Sequence, residues 1–163
     1  MVLRLAKRTL GSQSEAEDIA QAVFYRLFRK AAQLQDPNSL RSFIYAIAVR
    51  ALKTELHRKK VRAWLLFEQP QALSGLGWKT MDMESRDLVR KFHALLERLP
   101  PRERLVFVLR RMESMTVEEA AAAMQVSEST VKRSMTLASN RLSRWIEASP
   151  GLASVFDTER WRR

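Results

Sequence analysis

The sequence predicts an all-α protein: two small helical modules joined by a linker, the second of them a helix-turn-helix. Three observations predict this. Apolar residues recur at helical spacing along most of the chain. Only four Gly and five Pro occur in 163 residues, gathered at a few breaks, which disfavours a turn-rich β fold. Between the two periodic stretches, Glu68 to Gly77 collects Pro, Ser and Gly and loses the period. The modules are expected over 1–67 and 86–148, with a linker over 68–85 and a tail over 149–163.

In the first module, a helix over about 2–10 should stop at Gly11, a residue suited to a left-handed cap. A second helix should start at Ser14, where Ser14, Glu15, Ala16 and Glu17 have the capping-box pattern. Its apolar stripe is Ile19, Ala20, Val23, Phe24, Leu27 and Phe28, with Phe24 and Leu27 expected in the core. Pro37 disfavours helix at Asp36, so 33–38 reads as a loop. Ser39 opens a third helix that buries Leu40, Phe43, Ile44, Ile47, Ala51 and Leu52 and extends to about Phe67.

In the second module, a helix over 86–99 turns Leu88, Phe92, Leu95 and Leu96 inward. Pro100 and Pro101 break the chain, and Pro101 suits the first position of the next helix, which carries Leu105, Val106, Val108 and Leu109. Thr116 to Glu119 is a second capping-box pattern, opening a short helix to about Met124. Gln125, Val126 and Ser127 make a turn, and Ser127 caps a long helix through about Ile146. Val131, Met135, Ala138, Leu142 and Trp145 or Ile146 face in. The turn wants a positive φ, so Gln125 there carries about 1 kcal/mol of strain relative to Gly.

Charge narrows the function. The chain carries 29 basic and 18 acidic residues, a net +11, and the first 67 residues alone hold 13 basic against 5 acidic. Such an excess suits a polyanionic partner. The chain lacks Cys, and so has neither disulfides nor thiolate metal sites. The first residues are charged too early for a signal peptide, and no apolar run is long enough to span a membrane, so the expected location is cytoplasmic. His57 and His93 lack metal-ligand spacing, and there is no Gly-rich phosphate loop. No enzymatic activity, metal or cofactor is expected.

Residues 116–146 carry the sharpest functional signal. A short Ala-rich helix, a tight turn and a longer helix form the frame that seats a recognition helix in the major groove. The exposed positions Glu128, Ser129, Lys132, Arg133 and Thr136 would meet DNA. Arg133 can donate two hydrogen bonds to guanine, and Glu128 can accept from cytosine. Ser127 and Ser129 can bind phosphate at the helix N-terminus.

The runs Leu99 to Arg111, Met115 to Ala121 and Val126 to Lys132 resemble the fourth conserved region of extracytoplasmic-function sigma factors, a branch of the sigma-70 family. Glu15 to Arg29 and Ser42 to Ala48 resemble the second region of the same family, in the family's order. The resemblance covers about residues 12–146 and implies a factor that directs RNA polymerase core to promoters and initiates transcription. It implies core contacts by Asp18, Gln21, Arg26, Leu27 and Phe28. It places Gln35 and Asn38 in a loop that captures a flipped base of the minus-ten element. Tyr45 would stack on melted DNA, and Arg50, Lys53, Arg58, Lys59 and Lys60 would hold phosphates there. Ser127, Glu128, Ser129, Thr130, Lys132, Arg133 and Thr136 would read the minus-thirty-five element. The implied partners are RNA polymerase core, duplex promoter DNA and its melted strand, and an anti-sigma factor.

The chain departs from the family pattern in places. Ala22 stands where Glu is usual, and Val49, Arg50 and Thr54 replace residues that are often Arg, Asn and Asp. Ser139 and Asn140 replace a usual Arg-Ala. The rival reading from the residues alone is a helix-turn-helix regulator that binds DNA without polymerase and uses its first module to dimerise.

Overall fold

The computed structural model describes residues 1–30, 36, 39–66 and 83–158, and the elements it contains are helices. The first, α1, spans Val2–Leu10 and ends as expected, with Gly11 at φ 73° and its N–H donating to the Lys7 carbonyl at 2.9 Å. The next, α2, spans Gln13–Lys30. Its cap is Ser12 rather than Ser14: Ser12 Oγ accepts from the Glu15 N–H at 3.4 Å, and the Ser12 carbonyl takes the first helical bond from Ala16. The left-handed turn at Gly11 leaves Ser12 as the last residue outside the helix, so Ser14 already lies within it.

The long helix α3 spans Leu40–Leu66, 27 residues or about 40 Å. It is the axis of the fold, touching α1 and α2 on the one hand and the fifth and sixth helices on the other. A helix sandwiched in this way buries more than one stripe. Ile47, Ala51 and Leu52 are buried as expected, but so are Tyr45, Ala48, Val49 and Leu56. Leu40, expected inside, is exposed at the start of the helix.

The segment 67–82, where most of the expected linker falls, lies outside the described residues. Helix α4 spans Met83–Arg98, opening three residues before Arg86. Pro100 and Pro101 then break the chain, and α5 spans Pro101–Phe107 with Pro at its first turn. It continues as a π-helical turn over Val108–Met112. The capping box at α6, Val117–Met124, is complete: Thr116 Oγ1 accepts from the Glu119 N–H at 3.1 Å, and Glu119 Oε2 accepts from the Thr116 N–H at 2.7 Å. Gln125 sits at φ 55°, ψ 50°, the left-handed turn the motif requires. Helix α7 spans Glu128–Glu147 behind its Ser127 cap. A short α8, Pro150–Ala153, lies in what reads from sequence as a tail.

Two cores result. The smaller lies within the second half: Phe92, Leu96 and Leu99 meet Phe107, Ala138, Leu142 and Ile146. The tail closes it, since Leu152 is buried there and the Phe156 ring stacks on Phe92 at 4.9 Å between centroids. The larger core joins both halves. Leu5, Leu10, Val23 and Leu52 from the first share one interior with Leu105, Val106, Leu109, Ala120 and Val131 from the second. Each such leucine or valine gains about 1.5–3 kcal/mol on burial, so the seam between the halves is a true core.

Candidate nucleic-acid and polymerase interface

The helix-turn-helix presents to solvent the face expected to meet DNA. The α6 alanines explain how: Ala120, Ala121 and Ala123 are buried and let α7 cross close, while Val131, Ala138 and Leu142 anchor α7 from beneath. Ser127, Glu128, Ser129, Lys132, Arg133 and Thr136 are all exposed, and Thr130 is half-buried. Within this face, Ser127 Oγ accepts from the Thr130 N–H at 3.3 Å and lies 3.0 Å from Ser129 Oγ. Lys132 pairs with Glu128 at 3.5 Å, and the Thr136 hydroxyl donates to the Lys132 carbonyl at 3.1 Å. Such exposed pairs are weak and exchange readily for phosphate or base partners.

A second charged surface runs along the later turns of α3. Lys53, Arg58 and Lys60 are exposed; Arg58 pairs with Glu55 at 3.3 Å. Lys59 is half-buried and held by Glu15 of α2 at 2.5 Å, so it ties α3 to α2 before it can serve a phosphate. Arg50 donates to Gln125 Oε1 at 2.9 Å, joining this surface to the turn of the helix-turn-helix. A groove of about 980 Å³ lies between the two, with Lys53 and Arg62 on one wall and Met124 and Gln125 on the other. Gln35 and Asn38 lie outside the described residues.

Tyr45 is the clear correction. The expectation was a ring free to stack on a base, but Tyr45 is 2 % exposed. Its hydroxyl donates to Glu113 Oε2 at 3.1 Å, and Arg41 lies over its ring at 5.8 Å. The ring fills the seam between the halves, which a single-stripe reading of α3 places outside.

Glu113 itself was missed. It ends the π-helical turn, and the following Ser114 takes φ 57°, a conformation that turns the chain sharply and leaves Glu113 facing inward. Its side chain is wholly buried and also accepts from Arg4 at 3.0 Å and Arg8 at 2.7 Å. Burial alone would raise this carboxyl, but the donors Arg4, Arg8 and Tyr45 outweigh it and hold it below the usual carboxylate range. Nothing local in the sequence marks it, because its three partners lie far back along the chain.

On α2, Asp18, Gln21 and Arg26 are exposed and Leu27 is half-buried. Phe28 is 78 % exposed. Phe24, expected in the core, is 49 % exposed, and Tyr25 beside it is 63 % exposed with Arg29 over its ring. The reason is again packing: α2 buries only the narrow stripe Ala16, Ile19, Ala20 and Val23. The aromatic band beyond that stripe faces solvent, and a patch of this kind marks an interaction surface.

His93 is buried among core residues, as expected for a structural histidine, and is pushed down to about 4 by burial and by the neighbouring Arg104 charge. No helix of the described residues is long and apolar enough to cross a membrane.

Comparison with known proteins converges on one kind. The family model for sigma-70 region 2 matches residues 1–64, and that for sigma-70 region 4 matches 90–142. The RNA polymerase sigma-E factor of Streptomyces coelicolor is 28 % identical over 163 residues, covering 99 % of this chain and 89 % of that protein. The RNA polymerase sigma-H factor of Pseudomonas aeruginosa is 24 % identical over 140 residues, covering 80 % and 72 %. The ECF RNA polymerase sigma factor SigE of Mycolicibacterium smegmatis is 30 % identical over 134 residues, covering 80 % and 51 %. Among solved structures, the sigma factor RpoE of Bartonella quintana, in complex with the anti-sigma factor NepR, has a similar fold. Its TM-score is 0.69 at 17 % identity, over 91 % of each chain.

Proposed function

The chain belongs to the sigma-70 family of RNA polymerase sigma factors, in its extracytoplasmic-function branch, and on that premise we propose how its residues direct polymerase to promoters. The exposed band of α2 is the docking surface for core polymerase, with Phe28 and Leu27 as apolar anchors and Asp18, Gln21 and Arg26 as polar contacts. The exposed aromatics Phe24 and Tyr25 belong to the same surface. Buried aromatic anchors dominate protein interfaces, and this band has three aromatics within five residues.

Promoter DNA is held in two places. Residues 127–136 of α7 enter the major groove of the upstream element, with Arg133 donating to guanine and Glu128 accepting from cytosine. Arg50, Lys53, Arg58 and Lys60 of α3 hold backbone phosphates at the downstream element. Lys59 contributes once its pair with Glu15 is exchanged. Gln35 and Asn38 capture a flipped base there, as the family resemblance implies. The factor supplies positioning and strand separation and carries no chemistry of its own. It works in the cytoplasm, and an anti-sigma factor is its regulating partner. Expected module limits are 1–67 and 86–148.

The observation that carries this reading is the exposed Ser127–Thr136 face together with the exposed aromatic band on α2. A stand-alone regulator would use the first for DNA and the second to dimerise, so binding of core polymerase by that band is what separates the two readings. The test is reconstitution: the purified chain should co-elute with core polymerase and confer specific promoter binding that core alone lacks. Failure to associate with core, combined with specific binding of a palindrome by the free chain, would establish the stand-alone regulator instead.

A further inference from the structure

Helix α7 turns outward one side chain whose chemistry none of the contacts above uses. Leu137 is 40 % exposed, and among the described residues of α5, α6 and α7 it is the one large apolar side chain that is exposed. At about 100° per residue, it lies about 40° around the helix from Arg133, and Asn140 lies about 20° to the other side. The buried Val131, Ala138 and Leu142 occupy the opposite side. The outward stripe is therefore Ser129, Arg133, Thr136, Leu137 and Asn140, all exposed, with one leucine among polar neighbours.

We propose that Leu137 reads a thymine of the upstream promoter element, by packing its isobutyl group on the 5-methyl group of that base. The inference rests on the promoter-directing function proposed above and deepens it, because it names a base this chain prefers. Three physical points lead to the methyl group. A recognition helix meets base edges along about two turns, and the step from Thr130 to Leu137 is about 10 Å, so Leu137 closes the stretch that Thr130 opens. Leucine has neither donor nor acceptor, so it gains nothing from phosphates or from the polar edges of bases. The major groove offers it one apolar group, the thymine methyl. Leu137 stands about 6 Å along the axis from Arg133, and base pairs stack about 3.4 Å apart. The thymine therefore lies within about two base pairs of the guanine that Arg133 reads.

The surroundings of Leu137 fit this placement. The Thr136 hydroxyl donates to the Lys132 carbonyl at 3.1 Å, which holds that neighbour back against its own helix and leaves Leu137 to project. Leu137 belongs to neither apolar core, so its replacement leaves both intact.

The experiment first selects duplexes from a random-sequence pool with the full chain, both in complex with core polymerase and alone, at one fixed salt concentration. Each thymine of the best-bound duplex is then replaced singly by deoxyuridine, which removes the methyl group and keeps every hydrogen-bonding group. One replacement, within about two base pairs of the guanine that Arg133 reads, should weaken binding about fourfold, the worth of one methyl group taken out of water. Leu137→Ala keeps a good helix former and withdraws the apolar group from reach. It should bind the thymine and deoxyuridine duplexes alike, while Leu137→Met retains the preference. A parent chain indifferent to every replacement overturns the proposal, as does a Leu137→Ala variant that still prefers thymine. Loss of core association in Leu137→Ala assigns the leucine to polymerase and overturns it as well. Enrichment by the free chain and none with core brings down the sigma-factor reading, and the deoxyuridine scan still decides Leu137. Enrichment under neither condition overturns both.

Discussion

Tyr45 donates to Glu113 at 3.1 Å, and this bond joins the second turn of α3 to the end of the π-helical turn, 68 residues further along the chain. With Arg4 and Arg8 it makes Glu113 the point where α1, α3 and the second half meet. Removing the carboxylate leaves a buried tyrosine hydroxyl without its acceptor. Glu113→Ala should therefore destabilise the protein by about 1–3 kcal/mol. The two arginines are partly solvated and add little to that figure. A urea melt followed by circular dichroism measures it, and a change below about 0.5 kcal/mol would mean the cluster contributes only geometry.

The same substitution should loosen the seam more than it loosens either half. The chain has no cysteine, so Ser14→Cys and Asn140→Cys accept dyes cleanly on exposed positions of the two halves. Energy transfer between them should be high in the parent protein and fall in Glu113→Ala. If transfer is unchanged while the melt shifts, the seam is held by its apolar core alone and Glu113 stabilises only its surroundings.

Acid should destabilise the fold through His93. Its folded pKa is about 4 against an ordinary 6.5, a shift driven by burial and by Arg104. A cationic group whose folded pKa is depressed stabilises the fold fully above its unfolded pKa. That stability is lost as pH falls from about 6.5 towards 4, by up to about 3 kcal/mol. Glu113 acts later: its carboxyl is held low, so its contribution disappears only below the usual carboxylate range. His93→Leu should flatten the slope of stability between pH 6.5 and 4, measured by thermal melts across that range. An unchanged slope would show that other groups carry it.

The turn of the helix-turn-helix holds Gln125 at φ 55°, which a side chain makes unfavourable. Gln125→Gly should raise stability by about 0.5–1 kcal/mol, reduced slightly by loss of the exposed bond from Arg50. A higher melting temperature confirms it; a lower one would show that the Arg50–Gln125 bond outweighs the backbone strain.

Arg133 is exposed on the second turn of α7, with no partner needed for the fold. Arg133→Ala should cost about 1–3 kcal/mol in binding to the upstream promoter element and leave association with core polymerase intact. Competition binding against promoters altered at single base pairs measures the first, and co-elution with core polymerase measures the second. Equal loss of the two activities would remove Arg133 from the reading face.

The helix ends were legible in the sequence because local chemistry sets them. Gly11, Pro101, Thr116 with Glu119, and Ser127 each fix a boundary within a few residues of themselves. The outward side of α7 was legible for the same reason, since the cap and the apolar stripe together decide which side points out. Tyr45, Phe24 and Glu113 were not. Periodicity gives a helix one buried face, whereas α3 lies between two sets of helices and α2 buries less than its apolar stripe suggests. Glu113 acquires its role only when chain segments about a hundred residues apart meet, as Arg4 and Arg8 show. The downstream loop residues Gln35 and Asn38 lie outside the described residues, so their place rests on the resemblance alone.

Run-off transcription from a promoter library, with core polymerase and this chain as the only specificity factor, tests the central claim most directly. The account predicts transcripts from a subset of templates that share two elements at fixed spacing, and their loss in Arg133→Ala together with Lys53→Glu and Lys60→Glu. Transcription indistinguishable from that of core alone on every template would contradict it.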